Sequence, residues 1–417
     1  MFWSNLKREV VFLLRQKFMP LLFILMACLC SYAIATGIAE VKTQRATIDK
    51  LLASDSIDRA EARKMQSDYG GAGYYQFHLT YDQPSNLAFA AFGQRDVFPW
   101  KHRIRMLALE GQIYETDASN PELAFAGRLD FSFIVSVLTP LFVILLLHDL
   151  KASERAAGRY NLLVATAASD RKLWVARALV RVAFLLACML IPFWVGSFIS
   201  GVSLADQVFV SFAVVAYLAF WSLISFWFAG LKANAPTIAS VLLGGWLMMA
   251  FILPAVGEKV IEALVPAPSG GDIVLLQREA VNDAWDLPKE VTMDEFVLRH
   301  PEWADHAEVG AMFDWKWYYA FQQVGDQQAE ALSQEYRAAI AKRDRLAGYI
   351  AFIMPPALFE RFLSHRAGTD VKAGLSYEAQ VRAYHASLRN FYYPLLFEGQ
   401  PYDPEKLKQL PPYIPAD

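Results

Sequence analysis

Five stretches of this chain have no charged side chain in their interiors over roughly the ~20 residues a helix needs to cross a ~30 Å hydrocarbon layer, and charged segments separate most of them. Nothing else in the sequence constrains the fold as tightly. In hydrocarbon every backbone N–H and C=O must be satisfied within the protein, so uninterrupted apolar runs of this length read as helices. The predicted spans are 18–39, 129–147, 178–200, 208–231 and 236–256. Pro140, Pro192 and Pro254 fall within them or near their ends, where neighbouring helices can repair the freed backbone groups. The bulk composition, 55% hydrophobic and 19% charged, matters only through this uneven distribution. It excludes a wholly soluble protein, a disordered chain and a coiled coil. The fold class expected is an all-α membrane protein.

A cleavable signal peptide competes for the first span. Lys7, Arg8, Arg15 and Lys17 precede it, and Ala33-Ile34-Ala35 has the small residues of a cleavage site. The apolar run outlasts the roughly 7–15 residues of a signal core, so a retained anchor is predicted. Direction follows from Lys and Arg in the short connections. The segment 1–17, the loop 148–177 (Lys151, Arg155, Arg159, Arg171, Lys172, Arg177) and Lys232 are basic and lie on one side. The turn 201–207 on the other side has no Lys or Arg. The N-terminus is therefore expected in the cytoplasm, with 40–128 and 257–417 as two large, mainly helical extracytoplasmic regions. A weak sixth candidate, Leu346 to Leu363, contains Pro355-Pro356, Glu360 and Arg361. It reads as an interfacial or partly buried helix, with a re-entrant element as the alternative.

Cys28, Cys30 and Cys188 lie in spans and read as packing residues, and no disulfide is expected in the outer regions. Residues 1–17 place Trp3, Leu6, Val10 and Leu13-Leu14 opposite most of the cations, the pattern of a basic amphipathic helix on the inner surface. A helical pattern runs from Val41 to Asp68, with a break expected at Gly70-Gly71-Ala72-Gly73 and an aromatic, loop-rich stretch after it. Val291–His306 and Ala311–Arg345 have helical spacing. Six prolines between Phe391 and Asp417 predict an extended tail.

Catalytic signatures are missing. No Gly-Lys dipeptide occurs, hence no phosphate-binding loop, and H-E-x-x-H, G-x-S-x-G and C-x-x-C do not occur either. His300, His306, His365 and His385 read as solvated surface residues, and no metal site is expected. Asp130 and Arg181 lie at span edges, where their charges can reach the interface. Phe220, Trp221 and Trp227 belong to an aromatic-rich fourth span, which suits lipid packing or, alternatively, the lining of a cavity for an apolar substrate. The loop Lys151 to Arg171 reads as a short amphipathic helix, a break, and a helix start capped by Ser169 or Asp170. It suits docking into a cytoplasmic partner or an ordinary positive-inside loop.

At this loop the chain resembles the permease subunits of ABC-2-type ATP-binding-cassette transporters, through Glu154-Arg155-Ala156-Ala157-Gly158 and Ser169-Asp170-Arg171. It is most similar to the subgroup with large outer domains related to the nitrous-oxide-reductase maturation permease. The residues carrying that likeness are Phe92-Gly93-Gln94-Arg95-Asp96-Val97-Phe98-Pro99, Asn120-Pro121-Glu122, Gly127 to Phe131, Pro140-Leu141, Ala367-Gly368-Thr369-Asp370 and Tyr384. The resemblance implies a bacterial inner-membrane subunit paired with a second permease subunit, as a homodimer or paralogous heterodimer. It also implies a separate cytoplasmic ATPase that binds ATP and Mg, so no cofactor is expected on this chain and the chain itself is not expected to be an enzyme. Glu154, Arg155, Gly158, Arg159 and Arg171 would then couple to that ATPase. Such permeases usually have six spans, and a sixth is not evident here. Membrane lipid and a periplasmic protein are the further partners expected, and nucleic acid is not. The rival function is a non-transporting mechanotransmission or assembly scaffold whose outer domains bind a protein.

Overall fold

The computed structural model describes residues 2–16, 18–96, 98–115, 129–166, 169–310 and 312–415. The motif residues Asn120-Pro121-Glu122 and Gly127-Arg128 lie outside the described residues. The described chain is almost entirely helical. Helix α1 (Phe2–Arg15) leads into α2 (Phe18–Met65), followed by α3 (Tyr69–Tyr75). Strands β1 (His78–Tyr81) and β2 (Lys101–Ile104) pair antiparallel, with His78 opposite Ile104. After α4 (Leu109–Tyr114) comes the second apolar helix, α5, made of Phe131–Phe133, a π turn Ile134–Leu138 and Thr139–Leu147. The short α6 (Ala152–Ala156) and α7 (Tyr160–Thr166) precede α8 (Asp170–Ser200) and α9 (Leu204–Ala229). Helix α10 comprises Ala235–Leu247, a π turn Met248–Ile252 and Leu253–Leu264. The remaining helices are α11 (Gly270–Asp286), α12 (Lys289–Arg299), α13 (Trp315–Ala351), α14 (Pro355–Ala367) and α15 (Val371–Phe397).

Five of these helices, α2, α5, α8, α9 and α10, are long and apolar enough to cross a membrane. Each π turn comes just before a proline, Pro140 or Pro254. Proline has no N–H to donate and its ring crowds the carbonyl four residues earlier, and a widened turn relieves that clash. At Pro140 the freed carbonyl is that of Ser136, and the Tyr217 hydroxyl of α9 donates to it. Trp246 Nε1 of α10 donates to the neighbouring Val137 carbonyl at 3.0 Å. These two carbonyls, one of them freed by Pro140, tie α5 to two other helices.

The spans pack around Met26, Phe131, Phe193, Val214 and Trp221. A Cβ on Gly37 would collide with the Phe89 carbonyl, so only glycine lets α2 approach the 88–90 turn. Asp130 and Arg181 do not reach an interface. Asp130 is buried, where it caps α5 through Phe133 N (2.8 Å) and binds Phe92 N (3.0 Å). Arg181 is buried against the Leu146 carbonyl, with Asp149 at 3.7 Å. A guanidinium enclosed by other helices needs acceptors there, and the end of α5 supplies them.

The two sequence regions 40–128 and 257–417 build one common core, in which Tyr69, Ile104 and Leu109 pack with Phe296, Tyr319, Tyr392 and Phe397. We call it the far-end domain, because it lies beyond the ends of the spans opposite α1. Several expectations change here. The first span and the helical pattern expected after it form a single helix, α2, which continues without a break to Met65. The Gly70–Gly73 stretch is inside a helix capped by Asp68, and Gly70 accepts the Tyr319 hydroxyl at 2.8 Å. The tail is not extended from Phe391, because α15 runs through Pro394 to Phe397. His385 is not on the surface; it is 1% exposed and its Nε2 lies 3.1 Å from the Arg105 carbonyl. Tertiary packing overrides local pattern in each case.

The segment 346–363 is split at Phe352–Met354, and its second part, α14, turns back among the spans. Phe359, Leu363 and Ala367 belong to the span core, and the Phe359 ring lies 5.3 Å from Tyr217. Arg366 pairs with Asp206 at the start of α9.

Candidate functional site

The loop 148–177 folds as its sequence predicts. Ser169 caps α8 by accepting from Lys172 N, and Asp170 takes the Trp174 indole N–H, placing a negative charge on the helix's positive end. Tyr160 stacks on Trp174 with centroids 5.7 Å apart. Gly158 turns the chain from α6 into α7 with φ of +68°, the left-handed region that favours glycine, and nothing in the chain would touch a Cβ there.

Within this frame lies a buried ion cluster. Arg177 of α8 donates from Nε to Glu9 Oε2 of α1 (2.9 Å) and from Nη1 to Glu154 Oε1 of α6 (3.0 Å). Arg159 covers the outer side, donating from Nε to Glu154 Oε2 at 2.9 Å. The side chains of Glu9, Glu154 and Arg177 are each no more than 7% exposed, whereas Arg159 is 61% exposed. With Arg8 also 3.7 Å from Glu9, each carboxylate has a buried guanidinium and a more exposed one beside it, and pairing of this kind is the condition for burying charge at all. The faces of Phe12 and Trp174 lie 5.3 and 5.2 Å from Arg177 and add cation–π attraction.

Arg155 points the other way. It donates to the carbonyls of Leu231 (2.7 Å) and Gly230 (3.3 Å) at the end of α9. Helix α6 is therefore bonded on successive residues to α8 through Glu154, whose partner Arg177 also holds Glu9 of α1, and to the end of α9 through Arg155. A push on α6 acts on three long elements at once. Of the residues singled out from sequence, Glu154, Arg155, Gly158 and Arg159 converge here. Arg171 lies exposed on the first turn of α8.

Glu9 was missed. Sequence reading of α1 followed its apolar spacing, but Glu9 and Leu13 are buried while Leu14 is 58% exposed. The available signal was a lone acid among four cations, four residues before a buried leucine. The aromatic candidates do not gather. Trp221 is 2% exposed in the span core, Phe220 packs edge-on to it at 5.6 Å, and Trp227 is 64% exposed on another face.

At the opposite end, motif pieces scattered in sequence meet. Gln94 N donates to the Thr369 carbonyl (2.8 Å), Thr369 Oγ1 to the Ala91 carbonyl (2.9 Å), and Phe92 N to Asp130. Farther out, Glu110 is held by Arg382 (2.8 and 2.9 Å) and by the Ser333 hydroxyl (2.7 Å). Those donors keep its carboxyl below the usual range against the opposing pull of burial. Asp326 caps α4 through Leu109 N (2.7 Å) and Glu110 N (3.0 Å) and pairs with Arg389 (2.7 Å), yet burial pushes its carboxyl up. No cluster of three His, Cys, Asp or Glu suited to a metal occurs among the described residues.

The family described as "Domain of unknown function (DUF3526)" matches residues 273–416, from within α11 to the tail. No curated protein matches the chain. No solved structure matches it.

Proposed function

We propose that this chain is the membrane permease subunit of an ABC-type exporter or extracytoplasmic maturation system of the bacterial inner membrane, with ATP hydrolysed by a separate cytoplasmic subunit. In this reading the α1 end faces the cytoplasm, as its basic loops suggest, and the far-end domain is extracytoplasmic. A second permease subunit completes the pathway. The observation that carries the proposal is the bonding of α6 to α8 through Glu154 and to α9 through Arg155, with α1 joined through the shared Arg177. A coupling element needs a surface for the ATPase and rigid links into the spans. Exposed Arg159 and Gly158 offer the surface, and the ion cluster offers the links.

The test is ATPase activity of the partner ATPase reconstituted in lipid with and without this chain. Stimulation is expected, and the double variant Glu154→Ala/Arg155→Ala should lose it while still inserting in the membrane. Wild-type stimulation by that variant would sink the coupling role. A folded chain that neither binds nor alters an ATPase would instead favour the scaffold reading, in which the far-end domain recruits a protein.

A further inference from the structure

Two adjoining cavities, of about 480 and 410 Å³, lie where α10, the α13–α14 hairpin and the 93–98 segment meet, and both are lined by Gln94, Asp344, Arg361 and Val371. Pro254, Ile261, Ile350, Met354 and Ala357 contribute an apolar side. Their depth follows from helix arithmetic. Pro254 lies about 20 residues, hence ~30 Å, along α10 from its cap at Asn234. Tyr217, which touches Phe359, lies about 11 residues or ~16 Å into α9 from Asp206. The hairpin tip therefore sits level with the bilayer leaflet on the far-end side. Tyr349, Phe352 and Ile353 at that tip are each about 70% exposed, as suits side chains that meet acyl chains. The cavities open beside them.

The polar lining is unbalanced. Five carboxylates, Asp344, Glu360, Asp370, Glu258 and Glu262, line the two cavities against the fixed cations Arg361, Lys372 and Arg343. Arg361 is matched by Asp344 at 2.7 Å, His365 lies 2.8 Å from Asp370, and Glu262 is matched by Lys259, outside the lining, at 2.7 Å. Glu360 lines the larger cavity without an ion-pair partner among the described residues, one residue from the buried Phe359. Glu258 adds a further carboxylate to the smaller cavity. A carboxylate at membrane depth is expensive unless a cation joins it.

We propose that this lateral cavity binds an amphiphile with a primary ammonium head, drawn from the adjacent leaflet, with Glu360 taking the head and the Pro254–Met354 side taking the chain. The inference depends on the five helices crossing a bilayer and not on an ATPase partner, so binding without ATPase stimulation would leave it standing.

The probe is radiolabelled stearylamine, offered to the full-length chain in phosphatidylcholine nanodiscs, with empty nanodiscs as the blank and unlabelled stearate as the competitor of equal chain length. Saturable binding that stearate does not displace is expected. Glu360→Gln should weaken it about ten-fold or more, the scale of a lost charge-assisted contact. Ala357→Trp, which fills the apolar side, should weaken it as well, and Glu335→Gln, on the exposed face of α13, should leave it unchanged. Displacement by stearate as effective as by stearylamine itself, or unchanged binding in both cavity variants, would overturn the proposal. Should Glu360→Gln fail to fold, Ala357→Trp and the stearate competition decide it.

Discussion

Both ends of this molecule bury arginine–carboxylate clusters, and the two clusters are built to different purposes. At the α1 end, Arg177 joins elements from three parts of the chain, and the cluster reaches the surface through Arg159. In the far-end domain, Arg382 and Arg389 with Glu110 and Asp326 are enclosed among tyrosines, and their hydrogen bonds go to a short helix and to α13. The first reaches the surface through the single long side chain of Arg159, while in the second the arginines themselves keep a partial exposure, 18% at Arg382 and 13% at Arg389. Charge shared among many partners fixes one packing; charge that ends on an exposed member can also register contact.

The sharpest way to break the comparison is to remove one arginine from each cluster. Arg382→Ala leaves the buried Glu110 with only the Ser333 hydroxyl and Arg337 at 4.0 Å and should destabilise the far-end domain by about 3 kcal/mol, the low end for breaking a buried pair. Thermal unfolding of the purified chain reads this. Arg177→Met should cost less, because Arg159 still neutralises Glu154 and water reaches that edge. Adding Glu9→Gln should recover part of the loss. Equal losses in the two single variants would remove the distinction between the two clusters.

Acid should sharpen the comparison next. Burial, together with nearby Arg59, lowers His78 to about 3, burial and Arg382 lower His102 to about 4, and burial with Arg389 lowers His385 well below 6.5. These rings stay neutral in the folded domain and would take up protons when unfolded near pH 6. Their contribution is complete above about pH 6.5 and is lost as pH falls toward the folded values, each by up to about 1.4 kcal/mol per pH unit. Asp326 and Glu378, whose carboxyls are raised by burial, act in the opposite sense at lower pH. Unfolding followed from pH 7.5 to 5.5 should therefore show the far-end domain weakening. The α1-end cluster has no histidine in its bonding, and cross-linking between positions on α1 and α8 should stay constant over that range. The smallest effect is expected at Gly158→Ala, about 1 kcal/mol from φ alone, read as a slight drop in thermal midpoint.

The apolar helices were legible because hydrocarbon leaves a chain few options and charge-free windows advertise them. Their ends were less so. The start of α8 was legible only from its Ser169 cap, since the helix begins at Asp170, outside the apolar window that opens at 178. Burial of Glu9 and Arg181 depends on partners far away in sequence, which spacing along one helix does not reveal. The same holds for α14, whose apolar face is short because Tyr217 and the span core complete it. The loop 154–159 was found by its residues, while its links to α1 and α9 required the tertiary structure.

Helix α2 runs unbroken for 48 residues, about 72 Å at 1.5 Å per residue. Its base packs against α1 and α8, and near its upper end Tyr402 binds the Arg63 carbonyl at 2.9 Å. A rod of that length works as a lever: a tilt of about 5° at the foot swings the tip by roughly 6 Å. Small displacements at the foot of this rod are thereby geared up into much larger movements where its upper end meets the far-end domain.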